Sequence, residues 1–391
     1  MMGSGNGELP RVLVLHNRYR ARGGEERAAT ELAELLGERG HAVRLLERDS
    51  GELSGAGGRL RGGTAMLRGG ANPSEVADAV RDLGADIVHA HNVMPLLGHR
   101  ALRAARGAGA RVVMHLHNYR LVCAIGIAYR DAAPCTRCQG RNTLPGARLR
   151  CRGNAAEALT YAAGISLGQP RLLEAVDRFI VTTEGSKRIL GELGLELADH
   201  DVFPNFLPES AFAEGSAADS GGYALFAGRL AEEKGVDTAI EAARRAGVPL
   251  AIAGTGPDEE RLRELAARSG GDVRFLGQLD ATAISAARAG AALALLPSRW
   301  HEPCPYAVSE SMAAGVPVLV SNVGGLAEMA GEQATLPATD ADAWADAMKQ
   351  LWSEPALRRE HGESALARAR ERFGADGYYE RLMASYRAAL A

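Results

Sequence analysis

The chain alternates short apolar runs with amphipathic stretches. "RVLVLHN" at residues 11–17 is a compact apolar run closed by polar residues, the pattern of a buried strand. A glycine pair and "EERAATELAELLGERG" follow, an amphipathic helix with a glycine stop. "HAVRLLER", "DIVHAHN", "RVVMHLHN" and "RFIVTT" are further strands, with helical stretches between most of them. A second series opens with "YALFAGR" and runs through "PLAIAG", "VRFLG", "AALALLPS" and "PVLVSN", again with helices between. Strands that alternate with helices lie parallel, because the chain must cross a face of the sheet to return. The expected fold is therefore α/β: two doubly wound, Rossmann-like domains facing each other across a cleft. They join near residues 204–221, around the polar linker "PESAFAEGSAADSGG". "GYYERLMASYRAALA" closes the chain as an amphipathic helix. Residues 51–72 are glycine-rich and hold Arg59, Arg61 and Arg68. They read as a mobile loop around a short helix, a solvated linker before any anion- or lipid-binding segment.

Length agrees with two units, since 391 residues exceed one ordinary core. A content of 46% hydrophobic and 24% charged residues is that of a soluble globular protein. The net charge of −3 gives no basic field for bulk nucleic-acid binding, and 5% aromatic residues give no stacking platform. The start "MMGSGNGELP" lacks a basic segment followed by an apolar core, so no signal peptide is expected. No apolar run approaches the ~20 residues that cross a bilayer. A cytoplasmic protein is expected, with a peripheral membrane contact left open.

Such paired sheets bind ligands at the carboxyl ends of their strands, and three stretches there carry candidate chemistry. In "FAGRLAEEKGVDTAIEA" a strand ends at Gly228, and Arg229 and Lys234 precede a helix. A planar fork and a point charge together suit a diphosphate, although a surface pair beside three acids reads equally well. In "AIAGTGPDEERLREL", Gly254 and Gly256 make a tight turn or let a nucleotide approach the backbone. In "PSRWHEPCPYAVSESMAAGVPVLVSNVGG", Glu302 stands in a proline-rich loop. Glu310 follows after seven residues, in a helix with Pro305 in its first turn. The helix amino terminus is a seat for phosphate. A carboxylate farther along can accept ribose hydroxyls, and one in the loop can hold sugar hydroxyls or meet positive charge at a reacting carbon.

"GRLAEEKG", "GTGP", "FLG" and two glutamates seven residues apart, followed by "MAAGVPVLVSNVGGLAE", resemble the retaining GT-B glycosyltransferases related to glycogen synthase, family four. The resemblance covers nearly the whole chain and is strongest over residues 223–330. It implies a GT-B fold: an acceptor-binding domain at 1–205 with a cysteine-containing insert at about 119–155, and a nucleotide-sugar-binding domain at 206–375. A helix at 376–391 would return to the first domain. It implies a UDP- or GDP-sugar donor, retention of configuration, and no catalytic metal, because Arg229, Lys234 and the helix amino terminus stabilise the leaving diphosphate. Glu302 would contact the donor sugar and Glu310 the ribose. The donor contacts carried over are Gly24, Arg229, Lys234, Gly254, Leu276, Glu302, Cys304, Tyr306 and Glu310. His117, at the end of "RVVMHLHN", matches a family histidine near the reacting sugar and joins Arg229, Lys234 and Glu302 as catalytic candidates. His16 and His91 end strands too, and only His117 has the motif match. One departure stands out: where the family commonly has Gly-Phe-Gly after the first glutamate, this chain has Pro303, Cys304 and Pro305, and two prolines remove two N–H donors.

"RARGGEERAA" places Gly23 and Gly24 before a helix, either a plain turn or a close approach to the donor phosphate. Cys123, Cys135, Cys138 and Cys151 cluster around one C-x2-C pair. In a reducing compartment they are expected to hold a structural zinc rather than form disulfides, with unligated thiols as the alternative. The acceptor is a hydroxyl compound: a glycan, a lipid-linked glycan or a small natural product. Other readings are a disaccharide synthase or nucleotide-sugar epimerase of the same fold, or an inactive zinc-containing binding protein. The arginine, lysine and glutamate set argues against the last two.

Overall fold

The computed structural model describes residues 9–19 and 23–391. The signal-peptide reading rests on residues 1–8, and part of the "RARGG" turn on 20–22; both lie outside the described residues. The first half begins β1 (Val12–Arg18), α1 (Gly24–Glu38), β2 (Val43–Asp49), α2 (Gly55–Arg68), α3 (Pro73–Leu83), β3 (Ile87–Ala90), α4 (Gly98–Gly107) and β4 (Arg111–Leu116). A small insert follows, with the hairpin β5 (Tyr129–Arg130) and β6 (Ala133–Pro134), then α5 (Leu144–Arg148). The long α6 (Ala155–Ala175) leads to β7 (Arg178–Val181), α7 (Glu184–Glu192) and β8 (His200–Val202). The second half runs β9 (Tyr223–Ala227), α8 (Val236–Ala246), β10 (Leu250–Ala253), α9 (Glu259–Ser269), β11 (Val273–Gly277), α10 (Ala281–Ala289) and β12 (Ala291–Leu296). It ends with α11 (Tyr306–Ala313), β13 (Val318–Ser321), α12 (Leu326–Ala330), β14 (Thr335–Leu336), α13 (Ala341–Ser353), α14 (Pro355–Phe373) and α15 (Ala375–Leu390).

Two six-stranded sheets form, in the orders β2-β1-β3-β4-β7-β8 and β11-β10-β9-β12-β13-β14, and every pair within them is parallel. Helices cover both faces, so the strands are apolar on both sides; β12, "AALALL", is buried at all six positions. Strand order reverses between β1 and β3 and again between β9 and β12. Crevices open at such switch points, beyond the carboxyl ends of the strands. The functional cleft is placed by this topology alone. The last helix, α15, lays Tyr378, Leu382, Met383 and Tyr386 against Val12, Val14, Ile87 and Val113 of the first sheet.

One segment differs from the sequence reading. Residues 51–72 are no mobile loop: a 3-10 turn over Ser50–Leu53 leads into the 14-residue helix α2. The glycines that weaken its intrinsic helicity are needed for packing. A Cβ at Gly58 would stand 2.6 Å from the Leu53 carbonyl carbon, and one at Gly62 2.9 Å from Leu53 Cδ1. Across the interface, a Cβ at Gly164 of α6 would meet Met66 at 2.7 Å. Close helix approach offsets poor propensity here. Pro305 also shifts by one position, capping α11 rather than entering its first turn.

The two halves touch closely beside the cleft. Thr183 Oγ1 donates to Pro303 O at 3.0 Å, Tyr119 OH to His301 O at 2.8 Å, and Glu184 N to Glu328 Oε2 at 2.8 Å. A Cβ at Gly185 would stand 2.2 Å from Gly324 O. Gly185→Ala is therefore expected to cost about 1–3 kcal/mol of stability through overpacking, measured by urea denaturation. Unchanged stability would mean that the halves do not hold this contact in solution.

Candidate active site

A cleft of about 490 Å³ opens where the carboxyl ends of the two sheets face each other. Its first wall carries Tyr19, Gly24, Glu25, His117 and Asn118, and its second Gly228, Arg229, Lys234, Trp300, Glu302 and Tyr306. The second wall is built by two turns. Lys234 ends a 3-10 turn that Gly235 closes at φ +64, where a Cβ would lie 2.0 Å from Pro297 O, so only glycine fits. The loop after β12 then brings Glu302 under the lysine. Lys234 Nζ lies 2.5 Å from Glu302 Oε1 and 5.2 Å over the Trp300 ring, and Ser298 Oγ donates to the same carboxylate oxygen at 2.7 Å. The Glu302 side chain is 3% exposed, whereas Arg229 is 58% exposed at the mouth and paired with Glu233. A second glycine pair holds the loop from behind: Gly325 N donates to Glu302 O at 2.8 Å, and a Cβ at Gly324 would stand 2.5 Å from that oxygen. Tyr306 and Ala307, in the first turn of α11, line the cleft and aim a helix amino terminus at it.

The geometry matches known sequence families. Residues 23–205 match the family model "Glycosyl transferase 4-like domain", and residues 209–368 match "Glycosyl transferases group 1". The chain belongs to the group 1 glycosyltransferases. This glycosyltransferase is 36% identical over 223 residues to the exopolysaccharide phosphotransferase SCO2592 of Streptomyces coelicolor, which covers 54% of the chain but only 23% of that protein. Phosphatidyl-myo-inositol mannosyltransferase of Mycolicibacterium smegmatis is 26% identical over 375 residues, covering 90% of this chain and 85% of the other. Among solved structures, Anabaena Alr3699/HepE in complex with UDP superposes with a TM-score of 0.65 at 16% identity, covering 95% of this chain and 98% of that one. The fold is GT-B.

Of the other candidates, Gly24, Cys304 and Tyr306 line the 490 Å³ space, and Glu310, Gly254 and Leu276 do not. Glu310 is held by Arg27 of α1 and Arg288 of α10, so its carboxylate joins the two halves. Arg27 also pairs with Glu31 at 2.6 Å and sits 4.2 Å over the Tyr306 ring, and Tyr306 OH donates to Glu31 Oε2 at 3.1 Å. Neighbouring carboxylates hold the Arg27 guanidinium firmly charged, while burial raises the Glu31 carboxyl. Gly254 has φ +133, and a Cβ there would stand 1.9 Å from Gly228 O. The backbone of the strand beside it takes up that approach. Leu276 lies on β11 and is 38% exposed. Cys304 is half-buried, and desolvation pushes its thiol up to about 12. Gly24 faces Tyr306, whose ring a Cβ would meet at 3.2 Å.

The first wall holds residues that the sequence did not single out. Glu25 is buried at the head of α1, with Tyr19 OH at 2.5 Å and Asn118 Nδ2 at 2.9 Å from Oε2. The nearest sequence signal was two acids directly after a glycine pair. Glu26, its neighbour, caps the helix by accepting from Gly23 N and Tyr19 N, each at 2.8 Å. His117 bonds His91 across 2.9 Å, and burial lowers its pKa to about 3, which favours the neutral imidazole.

Burial raises the Glu25 carboxyl above its ordinary range. The folded protein therefore binds this proton more tightly than the unfolded chain. Glu25 lowers stability progressively as pH rises from the unfolded carboxyl value near ~4.3 through its folded value. Glu25→Gln should remove this loss, so melting temperatures of wild type and variant should diverge in the variant's favour across that window. Parallel curves would refute a raised carboxyl.

Proposed function

We propose that the protein is a glycosyltransferase that moves a sugar from a nucleoside-diphosphate sugar, UDP- or GDP-linked, to a hydroxyl acceptor with retention of configuration. The observation that carries this reading is the Lys234–Glu302 pair beside Trp300, with Arg229 at the mouth and the α11 amino terminus behind. Cations and peptide N–H groups beside a buried carboxylate suit a leaving diphosphate next to a carbon that gains positive charge. The UDP held by HepE in its crystal structure supports a uridine donor as the first to test.

In this reading the bond between the anomeric carbon and the diphosphate oxygen breaks. Lys234 and Arg229 take up the charge on the leaving oxygen. The acceptor oxygen attacks from the same face and its proton passes to the departing diphosphate, so configuration is retained. Glu302, fixed by Lys234 and Ser298, anchors sugar hydroxyls and balances charge at the anomeric carbon. Neutral His117 hydrogen-bonds a sugar hydroxyl from the opposite wall. Glu310 holds the ribose by exchanging an arginine for two hydroxyls. Lys234, Arg229 and α11 supply the positive charge that a divalent ion would otherwise bring.

The insert carries a second proposal, a structural zinc on Cys123, Cys135, Cys138 and Cys151. All four line one cavity of about 20 Å³, room for a single small ligand. Arg130 Nη1 donates to Cys151 Sγ at 3.7 Å and Arg137 lines the same space, so cations surround what would be a doubly negative centre. Burial pushes the Cys138 thiol up to about 11, and a metal is what would deprotonate it. The described residues that already bring three ligating atoms within 4.8 Å are histidines, so the thiolates would have to draw in to reach ~2.3 Å from zinc.

Lys234→Ala is expected to lower transfer from the matching nucleotide sugar at least ~100-fold while the protein still folds by circular dichroism. Normal turnover in the folded variant would remove Lys234 from the mechanism. For the insert, metal analysis should find zinc lost in Cys135→Ser with Cys138→Ser, together with a lower melting temperature. Equal metal content would reject the four-thiolate site.

A further inference from the structure

The first sheet hides a feature that sugar transfer does not use. Side chains alternate along a strand, so the H-x-H that begins in β3 and ends one residue past it sends His89 and His91 to one face. In the register of β3 with β4, Ala90 lies beside Met114, which places His115 level with His91. The three rings are 0–1% exposed. Their ring centroids lie 4.9 Å apart for His89 and His91, and 5.6 Å for His91 and His115.

The nitrogens of these rings divide into two sets. His89 Nδ1 bonds Tyr386 OH at 2.8 Å, and His91 Nδ1 bonds His117 Nε2 at 2.9 Å. His89 Nε2, His91 Nε2 and both nitrogens of His115 are buried with no hydrogen-bond partner. One nitrogen from each of the three residues lies within 4.8 Å of the other two. Buried polar atoms are ordinarily satisfied, and unpartnered nitrogens on three clustered residues ask for a shared partner.

We propose that His89, His91 and His115 form a buried three-imidazole site for a divalent transition metal of the zinc class. Three neutral imidazoles without a carboxylate suit zinc, and the outer bonds to Tyr386 and His117 are the kind that fix ligand tautomers. The nitrogens, up to 4.8 Å apart, must draw together to bring each to ~2.0–2.1 Å from the ion. A neighbouring cavity of about 20 Å³, lined by His91, His115 and His117, has room for a water as fourth ligand. The ion ties β3 to β4 beneath the cleft. With Nε2 of His91 on the metal, its Nδ1–H donates to His117 Nε2, and the His117 proton is left on Nδ1. The site does not depend on the transfer reading, because none of its three ligands is assigned a part in transfer.

The test uses the full-length, tag-free protein loaded with Co²⁺, compared with His115→Gln. Wild type should hold one equivalent of cobalt more than the folded variant. The difference spectrum should show visible d–d bands without thiolate-to-cobalt charge transfer, which separates this ion from one held by the cysteines. Equal cobalt content in the two folded proteins overturns the site. Should His115→Gln fail to fold, X-ray absorption on the wild type decides: imidazole scattering around cobalt supports the site, and a first shell of sulfur alone, or no bound cobalt, overturns it.

Discussion

The ion pair between Lys234 and Glu302 is the constraint on which the active-site architecture turns. A carboxylate that is 3% exposed, in a cleft walled by Trp300, needs a partner at hydrogen-bond distance, because an unpaired charge there is strongly destabilising. Both ends of the pair depend on backbone shapes that few residues tolerate. The lysine arrives through the left-handed Gly235 turn pressed on Pro297 O. The glutamate sits on a loop pinned from behind by Gly324 and Gly325, and from the other half by Tyr119 and Thr183. A buried ion pair is weak evidence for stability, so its retention in the cleft fits a role in chemistry.

The second constraint is the ion network around Glu310. Arg27 comes from the first half, Arg288 and Tyr306 from the second, and Glu31 completes the ring. It joins the halves on one side of the cleft, while the 301–305 loop joins them on the other. On the proposed function, a nucleotide that reaches Glu310 would compete with an arginine for the carboxylate, which would couple donor binding to the fit between the halves. The coupling can be no larger than the difference in contacts between the two arrangements.

Much of this was legible in the sequence. Both parallel sheets followed from apolar runs spaced by helices, and the cleft followed from the rule that such sheets bind ligands at the carboxyl ends of their strands. Lys234 and Glu302 were marked by a Gly-flanked cation and an acid among prolines. What stayed hidden has physical reasons. The glycines of α2 lower helix propensity locally, and only the three-dimensional closeness of Leu53, Met66 and Gly164 shows why the helix forms. Arg27 lies 283 residues from Glu310, and no local pattern announces such a pair. Histidines at strand ends read singly as structural, and the strand register makes them a group. Gly254 was open between a turn and a ligand contact, and backbone crowding by Gly228 now gives it a structural duty of its own.

On the proposed function, the charge balance of the cleft accounts for how so acidic a lining could receive a diphosphate. Glu302, Glu233 and Glu25 all border it or pair with what borders it. If all three were ionised and unpaired, they would repel a phosphate. Two are neutralised by the cations that the phosphate needs, Glu302 by Lys234 and Glu233 by Arg229. The third is held toward its neutral form by burial. A donor then meets cations already aimed, so little side-chain ordering remains to be done on binding. The two are unequal: Lys234 is enclosed, with 21% of its side chain exposed, and Arg229 is 58% exposed. Water screens the arginine more, so in the proposed mechanism most of the electrostatic stabilisation of a leaving diphosphate would fall to the lysine.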